Sequence, residues 1–231
     1  MNRLLLLILV SITPLFAQSD TPTRKIDCRF ISISERSDLS SILNIATEDL
    51  EIACKVKRLK LDRERTECIA VNDVLTFVTA GDKKPLAKVR IPPSVDDAIL
   101  IFVPDPSKEA KLPYRIFPID DSDKNFPSAG ASVVNFYGSQ VRFIIGENKG
   151  LLEPFKSTGI KRPEKRDDFN MALVGVQFKN NQGSWQTVRE TKVRFIPGLR
   201  YLVFTYVDPS SKRPTVKTVK DFLEPPQADQ S

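Results

Sequence analysis

The chain has 231 residues, 41% of them apolar and 28% charged, which is enough to bury a core and unlike a disordered or fibrous composition. Its net charge of +6 is a mild bias, and it contains no histidine. That absence takes away the commonest general base, the Ser-His and Cys-His nucleophile pairs, and most zinc sites.

Residues 1–17 read as a cleavable export signal. Arg3 ends a short basic start, Leu4 to Val10 is an apolar run too short to span a bilayer, and Ala17 supplies the small residue a signal peptidase requires. No cysteine follows at once and no later apolar run is long enough to cross a membrane. The expected product is secreted, periplasmic or extracellular, with no transmembrane segment after cleavage and no nucleic acid as partner.

From residue 24 onward the spacing is that of strands. Lys25 to Ile33 alternates, with Ile26, Cys28 and Phe30 on one face. Leu39 to Ala46 fits neither a helix nor a strand and is expected to be irregular. Leu50 to Leu61 alternates again, Asp62 to Arg65 turns, and Cys68 to Val71 continues into Val74 to Thr79 across a bulge or bend at Asn72-Asp73. Ala80-Gly81-Asp82 is a turn in which glycine is expected to supply a positive φ. Then come Lys88-Val-Arg-Ile91, Pro92-Pro93, the apolar strand Ala98 to Val103, Asp105-Pro-Ser107, a polar turn, and Tyr114 to Ile119 closing at Asp120.

The same order of features returns near the C-terminus. Lys192-Val-Arg-Phe195 leads into Ile196-Pro-Gly198, Tyr201 to Val207, Asp208-Pro-Ser210, a polar turn and an alternating run closing at Asp221. Two copies of one unit predict two copies of one module, over residues 24–120 and 131–222. Residues 121–130, which combine acidic residues with Pro127 and Gly130 and have almost no apolar content, read as the linker. Within the second module Ala131 to Tyr137 and Gln140 to Ile145 are expected to form a hairpin about Gly138-Ser139, and Met171 to Lys179 to pair with Trp185 to Arg189. Residues 223–231 read as a disordered tail. No helical period is sustained, so the expected fold class is all-β, with two tandem immunoglobulin-like antiparallel β-sandwich modules.

Phe195-Ile-Pro-Gly-Leu-Arg-Tyr201, followed by alternating Val203, Thr205 and Val207, resembles the turn into one strand of fibronectin type III and related immunoglobulin-like domains. The resemblance implies a corner in which the tyrosine hydroxyl bonds back to the main chain. In the first module Ala98 begins the strand without a tyrosine, so the corner is missing there. The whole mature chain also resembles a set of exported bacterial tandem β-sandwich proteins of unknown function. Phe102-Val-Pro-Asp105 and the approach from Phe126-Pro127 to Asn135 carry that likeness, which implies fold and compartment only.

The three cysteines, Cys28, Cys54 and Cys68, all lie in the first module. Export favours one disulfide and one free thiol. Cys54 and Cys68 flank one expected hairpin and are the preferred pair. A turn near Arg63 would, however, set Cys54 opposite Val71, and three buried thiols are the alternative.

Little in the chain suggests catalysis. Asp96-Asp97, Asp120-Asp121 and Asp167-Asp168 are adjacent pairs, whose members point to opposite faces of a strand and so read as turn formers rather than a glycosidase pair. Asp121 and Asp123 lack the glycine and closing glutamate of a calcium loop. No catalytic residue, metal or cofactor is expected, and a hydrolase is the least favoured reading. For binding, Trp185 beside a glycine turn is the exposed ring, and Lys161, Arg162, Lys165 and Arg166 crowd one loop. The basic run from Lys55 to Arg65 reads as a solvated strand edge. The expected function is a non-catalytic envelope or extracellular interaction part, held to an unknown protein or an envelope polysaccharide. The alternative is a carbohydrate or anionic-polymer binding module.

Overall fold

The computed structural model describes residues 22–33, 39–47, 50–105, 107, 109–180, 182–208 and 210–223. The export signal, and the tail apart from Leu223, lie outside the described residues. Sixteen strands and no α-helix are found among the described residues: β1 (Thr23–Ser32), β2 (Ile42–Ile45), β3 (Glu51–Cys54), β4 (Thr66–Val71), β5 (Val74–Thr79), β6 (Pro85–Arg90), β7 (Asp97–Pro104), β8 (Tyr114–Asp120), β9 (Ala131–Asn135), β10 (Val141–Ile145), β11 (Asn148–Leu152), β12 (Ser157–Ile160), β13 (Met171–Lys179), β14 (Trp185–Arg194), β15 (Leu199–Val207) and β16 (Pro214–Phe222).

β1–β8 make one eight-stranded sheet, in which β4 meets β5 through the single pair Val71 and Val74. Between them Asn72 and Asp73 both take left-handed φ, 51° and 63°, a conformation that short polar side chains tolerate. The sheet therefore folds over at this point into two arms, β3-β2-β5-β6 and β4-β1-β7-β8. Alternate residues of the facing strands, Ile26, Cys28, Phe30, Leu100 and Phe102 on one arm and Ile42, Leu75 and Phe77 on the other, form a single core. Phe30, Phe77, Phe102 and Tyr114 meet edge to face along it, with centroids 5.5–6.2 Å apart.

β9–β16 form two four-stranded sheets, β11-β10-β13-β14 and β12-β9-β15-β16, around a second core that includes Val133, Phe143, Val176, Tyr201 and Val203. Counted from the first strand of each half, the pairing order is the same in both. The fourth, first, seventh and eighth strands make one sheet, and the third, second, fifth and sixth make the other.

A third cluster joins the halves. Ile31, Ile99, Ile101 and Ile119 on the outward face of β1, β7 and β8 pack against Val134, Leu202, Phe204 and Val219 of β9, β15 and β16. The two sheets that contain β7 and β15 thus lie back to back and are buried on both faces. This explains why the runs from Ala98 to Val103 and from Tyr201 to Phe204 are continuously apolar where a half-exposed strand would alternate.

Several expectations are corrected. Neither half is wholly antiparallel, because β1 runs parallel to β7 and β9 parallel to β15. β9 and β10 are not a hairpin: every residue of β9 is buried, so it joins the inner sheet, whereas β10 alternates and joins the outer one. A short glycine turn marks a reversal but not whether the chain stays in one sheet. Leu39 to Ala46 contains a strand, β2, and Asn72-Asp73 is a full reversal rather than a bulge. In the next turn Lys83, not Gly81, has the positive φ. The alternation from Leu50 to Leu61 is strand only as far as Cys54. Beyond it the chain crosses to the inner sheet, where Leu59 N donates to Ser32 O and Leu59 and Leu61 join the interface between the halves.

Candidate functional site

On β1 and just beyond its end the residues that face the second half are Arg29, Ile31 and Ile33, so the sheet that buries the isoleucines also buries a guanidinium. Arg29 is 3% exposed. Its Nε and Nη2 donate to the two carboxylate oxygens of Asp121 at 2.9 and 2.8 Å, and its Nη1 and Nη2 donate to those of Asp221 at 2.7 and 2.9 Å. From the other side Arg200 of β15 donates through Nε to Asp221 at 2.7 Å and through Nη2 to Asp121. Its Nη1 donates to the Phe126 carbonyl, with the guanidinium 4.0 Å from the centroid of that ring. Two arginines and two aspartates form a closed and neutral square: Arg29 from the first half, Arg200 and Asp221 from the second, and Asp121 from the residue that follows β8.

Burial opposes the charge on Arg29, but its hydrogen bonds to Asp221 and Asp121 outweigh this and raise its pKa. Burial would likewise push Asp221 up, yet the bonds and charges of Arg29 and Arg200 hold its carboxyl below the ordinary aspartate value. Arg65 reaches the square from solvent, 3.0 Å from Asp121, at the mouth of a cavity of about 440 Å³ that Arg63 and Phe222 also line. Every acid and base in the square is thus consumed by an opposite charge, an arrangement that holds surfaces together.

The segment 121–130 is anchored at Asp121, in the square, and at the fully buried Phe126, while Asp123, Lys124, Asn125 and Ser128 are exposed. The Tyr201 hydroxyl donates to the Arg194 carbonyl at 2.7 Å, as such a corner does, and Gly198 in the preceding turn has φ 77°.

Trp185 is half-buried at the start of β14, with the Arg142 guanidinium 4.5 Å and the Lys179 ammonium 5.2 Å from its ring centroid. The basic loop lies at the opposite end of β13. That strand spans nine residues, so roughly 25–30 Å separates the two at strand rise. The structure therefore does not bring Trp185 together with Lys161, Arg162, Lys165 and Arg166. The loop is also tied to its neighbours. Arg162 donates to Phe195 O and to Asn170 Oδ1 at 3.2 and 3.0 Å, and Glu147 accepts the main-chain N–H groups of Glu164 and Lys165. Those two bonds hold the Glu147 carboxyl below its ordinary value.

Cys28, Cys54 and Cys68 are buried free thiols in the first core. Cys54 lies in the outer arm and Cys68 in the inner arm, so the two face each other across the core instead of along a hairpin, with sulfurs 3.9 Å apart. Mutual hydrogen bonding and burial push the Cys54 thiol up, and its bond with Cys28 together with burial pushes Cys68 up. Such thiols are poor nucleophiles.

The ionic square was missed because each member, taken alone, sits beside a turn or in a strand of mixed charge. The available signal was an arginine interrupting a run apolar on both faces, Arg200 between Leu199 and Leu202, combined with units that both close on aspartate. No protein-family model matches this chain, and no curated protein is similar to it.

Proposed function

We propose that this chain is an exported, non-catalytic interaction part made of one β-sandwich copied in tandem, residues 24–120 and 131–222, with the copies clamped into one body. The observation that carries this reading is the neutral square of Arg29, Asp121, Arg200 and Asp221, which spends deeply buried ionisable groups on joining the halves. The common pairing order of β1–β8 and β9–β16 supports duplication. The likeness to immunoglobulin-like domains rests on the Tyr201 corner. The strand orders here differ from the ABED and CFG sheets of that fold, so the likeness is one of sandwich and corner. A rigid pair of sandwiches presents its two outer sheets and the exposed turns of all its sheets to a partner in the cell envelope.

The test is the fate of the chain in the cell that makes it. The mature protein, without residues 1–17, is expected outside the cytoplasm and sedimenting with the envelope. Full-length protein retained in the cytoplasm, or exported protein wholly in the soluble fraction, would contradict the proposal.

A further inference from the structure

The second half carries a groove of about 810 Å³ at its open edge, between the turn that joins β13 to β14 and the turn that joins β15 to β16. That volume lies within the range of small-molecule and oligomer sites. Tyr137 and Phe178 close it behind, packed edge to face with centroids 5.0 Å apart. Three cations line it, Lys179, Lys212 and Arg213, and no aspartate or glutamate does among the described residues. Lys212 and Arg213 are exposed, and neither is paired with a carboxylate among the described residues. The basic loop differs in that Arg162 is taken up by the Phe195 carbonyl and Asn170, and a negative charge, Glu147, is bound to its main chain.

The polar lining adds a second feature. Asn180 uses its side-chain oxygen to accept the N–H groups of Gln182 and Ser184 at 3.0 and 2.9 Å, which fixes the turn and leaves its amide nitrogen without a partner among the described residues. Gln182 and Gln186 line the same groove with both carboxamides exposed. An amide donates and accepts at once, which is what neighbouring hydroxyls of a sugar require. Lys179 extends the positive surface over the strand to Trp185, whose ring it approaches.

We infer that this groove binds an anionic polysaccharide, with Lys212 and Arg213 taking the carboxylates or sulfates and Gln182 and Gln186 the ring hydroxyls. The inference rests on the reading of the chain as an interaction part and names the partner class. Arg213 offers a planar fork suited to a carboxylate, and the lysines offer mobile point charges. Nucleic acid is the poorer fit, because the groove lining offers no fully exposed ring for a base to stack on: Phe178 is buried and Tyr137 is half-buried against it.

The mature chain would be titrated with polygalacturonate, dextran sulfate, neutral dextran and a single-stranded oligodeoxynucleotide at low and high salt. Polygalacturonate, dextran sulfate or both should bind at low salt and weaken as salt rises, and neutral dextran should not bind. The double variant Lys212→Asn/Arg213→Ala should bind at least tenfold more weakly. Asparagine is chosen because Lys212 has φ 57°. Lys179→Ala, which leaves both turns intact, should also weaken binding, whereas Lys161→Ala/Lys165→Ala should stay within twofold of the parent. The anion preferred tells a carboxylated from a sulfated chain. Failure of the parent to bind either polyanion, equal binding of neutral dextran or the oligonucleotide, or loss on changing the loop but not the groove would each overturn the assignment. Envelope retention that survives the groove variant would remove this site and leave the interaction reading standing, whereas absence of retention in the parent would remove that reading whatever the titrations gave.

Discussion

The inner and outer sheets are built from the same chain by the same alternation, yet they differ in what a strand residue can afford to be. In the outer sheets one face meets water: of the ten residues of β14, all but Trp185, Thr191 and Val193 are exposed. In the middle of the inner sheets both faces are covered, so seven consecutive residues of β15, from Leu199 to Thr205, are buried. Among the described residues, buried charge is found only where an opposite charge meets it, as Arg29 and Arg200 meet Asp121 and Asp221. Charge on the outer sheets, and on the exposed turns of either sheet, needs no partner and remains available to a ligand.

The comparison is broken most severely by removing one corner of the square. Arg200→Ala leaves two aspartates buried against a single arginine from within and should cost about 3–5 kcal/mol in chemical denaturation, since an uncompensated buried charge is the costly product. Phe204→Ala, in the apolar part of the same interface, should cost about 3–5 kcal/mol through lost burial and a cavity. Val188→Ala, on an exposed position of β14, should change stability by no more than about 0.5 kcal/mol.

Acid sharpens the comparison next. Because the Asp221 carboxyl is held below its ordinary value, its stabilisation is complete above the ordinary aspartate pKa of about 3.9 and is lost as pH falls through the lower folded value. Stability should thus fall steeply below about pH 4. In Asp221→Asn, already weakened at neutral pH, that part of the slope should vanish, which unfolding midpoints measured across the acid range will show.

Smaller still is the corner. Tyr201→Phe removes one hydrogen bond to the Arg194 carbonyl and should cost about 0.5–1.5 kcal/mol. The first half has no such corner at Ala98 and should show no counterpart.

The fold was legible wherever one face of a strand told the story. β4, β5, β10 and β13 follow the alternation of their sequences, and the repeated unit ending at Asp120 and Asp221 corresponds to β7-β8 and β15-β16. It was illegible where long-range covering decided. The parallel partners of β1 and β9 come from strands far along the chain, and nothing local to Gly138-Ser139 says that the next strand belongs to another sheet. The site followed the same rule. Trp185 and the loop from Lys161 to Arg166 stand out by residue type, but a strand's length keeps them apart. The groove cations come from two turns that only folding brings together, and Arg29 gains its meaning from Asp221, on the last strand of the other half.

The single tryptophan, Trp185, lies in the second half and reports on it alone, while circular dichroism reads both. Guanidinium unfolding of Leu75→Ala, a change confined to the outer arm of the first half, is therefore the most direct test of whether the stacked inner sheets make one body. One body requires that the Trp185 fluorescence transition and the dichroism transition coincide in the parent and move together to lower denaturant in the variant. A Trp185 midpoint left where it was, while a first-half transition separates below it, would show two sandwiches that merely touch.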